Sequence, residues 1–277
     1  MGKTLLDIRV KYGTLSKSEK KIADFLLDGD GGEMPIYITD FARRCGTSEA
    51  TVVRFAKRLG FEGFQQLKIA MAQQTESRPI NADITFDDSA ADVFAKICDD
   101  VYCSLEKTKK ALDGNQLQRA CDAIASAGEV LIFGLGNSAS VAADAAHKLF
   151  RLGIKAHAYT DNHMQAIAAA HACDKSAAIG ISHSGASQDI ISALRLAKEN
   201  GAVTIALTHL GKSPIGKVSD IILSTVSDET NYRILGLSSR IAQLTIVDAI
   251  YSYLVCHMPD AARSIAVTED ALRDKKI

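Results

Sequence analysis

The sequence predicts an all-α N-terminal domain joined to an α/β domain with a parallel sheet, and three observations carry that expectation. Up to about Ser126 the chain reads as helical segments separated by turn residues. From Glu129 it alternates short apolar runs with helix-like stretches, as expected of strands covered on both faces by crossover helices. Two glycine- and serine-rich turns, at 134–138 and 182–187, fall where an apolar run gives way to a helical one. A length of 277 residues fits one to two domains, and 47% hydrophobic with 23% charged residues is ordinary globular composition.

Ser16 and Glu19 have capping-box spacing, and Ile22, Ala23, Phe25 and Leu26 give the helix behind them an apolar face. Gly29 to Gly32 end that helix and Pro35 reinforces the break. Thr39 or Asp40 opens a second helix through Arg44, a third runs from about Ser48 to Leu59, and Phe64 to Met71 forms one more. The polar stretch Thr75 to Asp83, with Pro79, reads as a linker. Helices over Ser89–Leu112 and Asn115–Ser126 lead into the strands, expected at Val130–Phe133, Ala156–Tyr159, Ala177–Ile181, Val203–Leu207 and Ile221–Thr225. Helices are expected at Ser138–Arg151, Asn162–Ala170 and Ile190–Asn200, and a long one at Ile234–His257 closes the series. The domains implied are 1–76, a connecting helical region at 77–127, and 128–277.

Within Ile38 to Gly60 the spacing of Ala42, Gly46, Val52 and Phe55 is that of a helix-turn-helix. A small residue at 42 lets two helices approach, Gly46 accepts the positive φ of the turn, and Val52 and Phe55 pack the second helix inward. Ser48, Glu49, Thr51 and Arg54 are then expected to point outward near the start of that helix, where base edges are met. Arg54 is the candidate for a guanine contact, and Lys57, Arg58 and Lys68 are candidates for phosphates. Net charge is −1, so the chain as a whole has no polyanion-binding balance. Locally, Arg43, Arg44, Arg54, Lys57, Arg58 and Lys68 are opposed only by Asp40, Glu49 and Glu62, a modest basic surplus.

The stretch Ser182-His183-Ser184-Gly185-Ala186-Ser187 has the chemistry of an anion socket. Backbone N–H groups at a helix start are unpaired, the helix dipole presents its positive end, and hydroxyls add donors without charge. The earlier turn Gly134-Leu135-Gly136-Asn137-Ser138 invites comparison with a dinucleotide-binding loop, but Ala139 stands where the third glycine belongs. Asp161 comes too late to hold a ribose, so a nicotinamide cofactor is not expected. Cysteines 45, 98, 103, 121, 173 and 256 form no C-x-x-C pair and no cluster with histidines. Neither a metal site nor a disulfide framework is expected, and reduced thiols fit a cytoplasmic protein. Asp7 arrives too early for a signal peptide, and no apolar run approaches the ~20 residues of a spanning helix, so no membrane partner is expected.

The segments Ser18–Ala23, Thr47–Phe55 and Leu59–Phe64, with their Val-Val-Arg-Phe and Gly-Phe-x-Gly-Phe parts, resemble the N-terminal domain of RpiR-type bacterial regulators. Those proteins join a helix-turn-helix to a sugar isomerase (SIS) domain. The glycine-rich Gly29 to Gly32 stands where relatives carry a proline-containing turn. The two later turns are similar to SIS phosphate-binding loops, Gly-x-Gly-x-Ser and Ser-x-Ser-Gly-x-Ser/Thr, over a resemblance spanning roughly Gly128 to Met258. It implies a flavodoxin-like five-stranded parallel sheet with ligand at the strands' carboxyl ends, and no cofactor. On that mapping Ser138, Ser182, Ser184 and Ser187 hold a phosphate, with Gly136, Asn137, His183 and Gly185 lining it. His183 is either a positive charge near the phosphate or a bystander.

Glu229 lies where SIS enzymes carry a catalytic glutamate and is assigned to the sugar. Asp161 and His163 follow a strand end and are either sugar contacts or a helix cap and a solvated loop residue. Asp248, on an apolar helix, reads as structural. The function implied is a sugar-phosphate-responsive DNA-binding transcriptional regulator of carbohydrate metabolism genes, amino sugars among them. Its partners are operator DNA, a small phosphorylated sugar and a second copy of itself, as a homodimer or homotetramer. Ser89–Leu112 and Ile234–His257 are the candidate dimer helices. The alternatives are a sugar-phosphate isomerase with a helical appendage, Glu229 and His163 supplying acid and base, and a sugar-binding adaptor acting on a protein.

Overall fold

The computed structural model describes residues 3–28, 37–73, 84–227 and 237–275. The glycine-rich turn at 29–32, the linker at 75–83 and Glu229 lie outside the described residues. The described residues divide into two units, one of residues up to Lys96 and the other of residues from Ile97.

The described residues of the N-terminal unit include helices α1 Lys3–Lys11, α2 Lys17–Asp28, α3 Ile38–Arg44, α4 Glu49–Arg58 and α5 Phe64–Gln73. The capping box at α2 forms in both directions, with Ser16 N donating to Glu19 Oε2 at 2.8 Å and Glu19 N to Ser16 Oγ at 3.3 Å. α1 is not anticipated by the sequence reading. It contributes Ile8 to a core that joins Ile22 and Leu26 of α2, Phe41 of α3, Val52 and Phe55 of α4 and Leu67 of α5. Phe41 is the hub, its ring 5.6 Å from Phe25 and 5.3 Å from Phe64 between centroids.

Helix α6, Ala90–Ala111, is followed by α7, Gly114–Ser126, which is capped by the Asp113 carboxylate and places Ala120, Cys121 and Ile124 in the core of the second unit. Next come β1 Glu129–Gly134, α8 Asn137–Arg151, β2 Ala156–Tyr159, α9 Asn162–Ala170, β3 Ser176–Ser182 and α10 Gln188–Glu199. The series ends with β4 Val203–His209, β5 Ile221–Thr225, α11 Leu237–His257 and α12 Ala261–Leu272. All strand pairs are parallel and the sheet order is β2-β1-β3-β4-β5, the flavodoxin-like arrangement. β3 is buried along its whole length, as its uninterrupted apolar run requires.

Two apolar layers sandwich the sheet, one including α7, α8 and α11 and the other α9 and α10. α12, beyond Pro259, is a second helix that the sequence reading does not anticipate. Among the described residues no single helix is long and apolar enough to cross a membrane.

Candidate functional site

The helix-turn-helix geometry is present in the N-terminal unit. Gly46 has φ +60°, and its neighbour Thr47 N donates to Ala42 O at 2.9 Å, closing the turn between α3 and α4. Ala42, Val52 and Phe55 are buried and Ser48 caps α4, its hydroxyl accepting from Thr51 N. Ser48, Glu49, Arg54, Lys57 and Arg58 are exposed, and Lys68 is half-buried on α5.

Thr51 is a correction. It does not point outward with its neighbours but is 5% exposed, because Thr51, Val52, Phe55 and Ala56 share the inward stripe of α4. Its hydroxyl lies 2.9 Å from the Ser48 hydroxyl and accepts from Arg54 Nη2 at 3.3 Å, so it steadies the cap and Arg54 instead of reaching a base. Two other candidates have partners within the unit: Glu49 accepts from the Thr39 hydroxyl at 2.8 Å, and Arg58 pairs with Glu19 at 2.8 Å.

The Glu19–Arg58 pair ties the start of α2 to the end of α4. Burial pushes the Glu19 carboxyl up, but the Ser16 amide and hydroxyl and the Arg58 guanidinium together hold it below its ordinary value. A carboxyl lowered by folding stabilises the native state above its unfolded pKa, and that contribution disappears as pH falls through the folded one. The N-terminal unit is therefore expected to lose stability below about pH 4. Arg58→Ala should shrink the difference between melting curves taken at pH 7 and pH 3, whereas an unchanged difference would remove the pair as its source.

In the second unit the two serine turns leave neighbouring strands. β1 and β3 pair directly, with Gly134 opposite Ile181, and chain order reverses between them. Open α/β sheets bind ligands in the crevice at such a switch point, beyond the carboxyl ends of the strands. Both helices that follow begin there without a side-chain cap: Gly136 (φ +56°, ψ −127°) precedes α8, and Ser187 precedes α10 with no cap hydrogen bond. Their first N–H groups and the positive ends of two helices thus meet at one end of the sheet. By contrast, Asp113 and Asp161 cap α7 and α9. A Cβ at Gly134 would stand 2.6 Å from Ser138 O, so glycine is required for α8 to turn back so closely onto β1.

The second turn is held from within and beneath. Ser182 and Ser187 hydroxyls lie 3.1 Å apart, and Ala186 N donates to Ser184 Oγ at 3.3 Å. Gly185, at φ +59°, donates to Ser182 O and accepts from Ile215 N, each at 3.0 Å. Its missing Cβ leaves room for Ser213 and Thr208, which would otherwise lie 2.6 Å (Ser213 Cβ) and 2.8 Å (Thr208 Oγ1) away. The His183 carbonyl accepts from His209 N at 3.1 Å, and the two imidazoles meet edge to face at 5.1 Å. Neither turn contains a lysine or arginine, so an anion here would be met by N–H groups, hydroxyls and helix dipoles.

Thr208, Ser213 and His209 escape sequence reasoning; they enter from β4 and the segment after it. Asp161 accepts from Met164 N at 3.0 Å as the cap of α9, which accounts for it without a sugar, and His163 is exposed. Asp248 is more exposed than its apolar helix suggests, and pairs with Lys148 at 2.5 Å, a lysine also held by Asp144 at 2.6 Å.

A helix-turn-helix unit followed by a flavodoxin-like domain with two serine turns at its switch point defines a class of ligand-responsive DNA-binding regulators. The chain matches the helix-turn-helix domain of the rpiR family over residues 2–78 and the SIS domain over residues 123–253. It is 35% identical over 281 residues to an HTH-type transcriptional regulator of Caldanaerobacter subterraneus, covering 100% of this chain and 99% of that one. It is 30% identical over 246 residues to the HTH-type transcriptional regulator RpiR of Escherichia coli K12, covering 88% and 83%. Among solved structures, the Vibrio vulnificus NanR protein complexed with ManNAc-6P superposes with a TM-score of 0.81 at 25% identity, covering 99% of this chain and 100% of that one. The protein belongs to the RpiR family of HTH-type transcriptional regulators with a C-terminal SIS domain.

Proposed function

We propose that the protein is a one-component regulator of carbohydrate metabolism genes, acting in the cytoplasm, whose DNA affinity is set by a sugar phosphate. The observation that carries this reading is the convergence of two side-chain-uncapped helix starts, α8 and α10, on serine-rich turns from adjacent strands. The phosphate is assigned to Ser138, Ser182, Ser184 and Ser187 with the amides around Gly136, Asn137, His183 and Gly185, and the sugar to Glu229. These are binding roles, and no catalytic step is assigned. Because the related NanR protein was solved with ManNAc-6P, amino-sugar 6-phosphates are the first effectors to try.

On the DNA side, Arg54 with Ser48 and Glu49 is assigned to base edges, and Lys57 and Lys68 to phosphates. A helix-turn-helix reads two half-sites as a dimer, so the working unit is a homo-oligomer. Ligand would act by favouring one arrangement of that oligomer, and a coupling of ~1–3 kcal/mol changes DNA affinity about 5–150-fold.

The test is a thermal-shift panel of sugar phosphates against their unphosphorylated sugars, with Ser184→Ala as control. Ligand at a hundred times its dissociation constant stabilises by about 2.7 kcal/mol. A shift confined to a phosphate ester and lost in Ser184→Ala is the expected result; equal shifts from the free sugar would sink the phosphate assignment. Arg54→Ala should abolish binding to a duplex selected from a random library while leaving the melting temperature near wild type. DNA affinity that survived would remove Arg54 from base recognition.

A further inference from the structure

The buried face of α11 changes character along the helix. From Ile246 onward it is apolar, with Val247, Ile250 and Leu254, but the first two turns bury Ser238, Ser239 and Gln243 beside Ala242. Ser238 Oγ and Gln243 Nε2 have no hydrogen-bond partner among the described residues, although the two residues are only 1% and 2% exposed. Ser227, just past the end of β5, is 4% exposed, and its hydroxyl is unpartnered in the same way. An unpaired polar atom in the interior is costly, and native proteins keep few of them. A group of them calls for a partner from outside the chain.

Packing says where these atoms lie. α11 runs beside α8 in the same direction: Lys148 of α8 pairs with Asp248 of α11, and Gly153, just past α8, meets Ser264 of α12. Lys148 stands as far from the start of α8 as Asp248 does from the start of α11, so the two helices begin at one level. The start of α8 carries Ser138 of the first serine turn, and packed helices lie about 8–10 Å apart, a gap that a sugar phosphate can span. Val247 lines a cavity with Ile181, Leu207 and Leu223, each near the carboxyl end of its strand. Gln243 is one turn closer to the start of α11, about 6 Å further out, and so stands past the strand ends. Ser227 is fixed through its neighbour, because Ser104 Oγ and Thr108 Oγ1 of α6 donate to Val226 O at 3.0 and 3.2 Å.

We propose that Ser227, Ser238 and Gln243 form the wall of the effector site that reads the sugar, hydrogen-bonding its ring hydroxyls while the serine turns hold the phosphate. Serine hydroxyls give or accept a hydrogen bond and the glutamine amide nitrogen gives one, and none of the three side chains carries a charge. Such a set suits the hydroxyls of a sugar better than a second charged group. The inference rests on the sugar-phosphate reading and adds to it an uncharged set of contacts.

The experiment is calorimetric titration of the full-length protein with ManNAc-6P, glucose 6-phosphate and inorganic phosphate. Wild type is expected to bind at least one ester more tightly than inorganic phosphate. Gln243→Leu and Ser238→Ala should each weaken that ester at least about tenfold and leave inorganic phosphate unchanged. Without ligand, both should melt at or above the wild-type temperature, because an unpaired polar atom has left the interior. Gln243→Met, unbranched like glutamine, repeats the test should leucine disturb the packing. Variants with wild-type ester affinity, equal losses of ester and inorganic phosphate, or a lowered melting temperature in both position-243 variants would each overturn the proposal. So would a wild type that binds inorganic phosphate as tightly as either ester, which leaves the phosphate socket standing. A wild type that binds none of the three would overturn the socket along with the wall, so the two failures are distinct.

Discussion

Gly185→Ala is expected to abolish binding of the phosphate ester while leaving the domain folded. Two costs fall on the same residue. At φ +59° a Cβ is strained by roughly 1–2 kcal/mol. The new methyl would also stand 2.6 Å from Ser213 Cβ and 2.8 Å from Thr208 Oγ1. Overpacking of this kind costs about 1–3 kcal/mol when neighbours cannot retreat. Thr208 sits in β4, locked into the sheet register opposite Ser182, so it cannot. The cheaper response is for the turn to lift, which breaks the hydrogen bond from Ile215 N to Gly185 O and displaces the serines assigned to the phosphate.

Calorimetric titration with the phosphate ester found in the thermal-shift panel should show no binding, and the far-ultraviolet spectrum should be unchanged. Adding Ser213→Gly removes the nearer clash and should restore part of the affinity, separating the steric cost from the backbone strain. Wild-type affinity in Gly185→Ala would mean that the turn does not cradle the phosphate.

What the sequence makes legible here is what is local. The positive φ at Gly46, the inward Val52 and Phe55, and the glycine-serine turns after β1 and β3 are each written within a few residues of where they act. The strands are found within about two residues because an apolar run between helical segments has one economical use in a parallel sheet. Thr51 is misread because a threonine three residues after a serine cap has two good uses, and spacing alone does not choose between them.

Thr208 and Ser213 leave no local trace at all. Their role exists only because β4 pairs with β3 and brings their side chains against a glycine in the neighbouring turn. Arg58 looks like a phosphate contact in sequence, yet its ion-pair partner, Glu19, lies 39 residues away. α1 and α12 are missed for a related reason: among the described residues only Thr4 and Ile8 are buried on α1 and only Ala261 on α12, so periodicity gives little to detect.

The other large effect is expected at Phe41, a residue that spacing did not single out and packing does. Its ring is fully buried and touches Phe25 of α2 and Phe64 of α5, so one side chain on α3 connects helices before and after the turn. Truncating a buried phenylalanine to alanine costs about 3–5 kcal/mol, part of it the ~0.5–1.5 kcal/mol that each aromatic pair adds beyond area. A unit of fewer than a hundred residues has a small core and a stability near the low end of ~5–15 kcal/mol, so the loss approaches the whole.

Phe41→Ala should therefore unfold the helix-turn-helix at physiological temperature and eliminate operator binding. The α/β unit has its own core, and its affinity for the phosphate ester should remain. Phe41→Leu keeps most of the volume and should retain DNA binding at reduced thermal stability. The informative comparison is DNA affinity and effector affinity measured on the same preparation. If Phe41→Ala lost both together, the two units would not be separately stable and the division of labour between them would have to be redrawn.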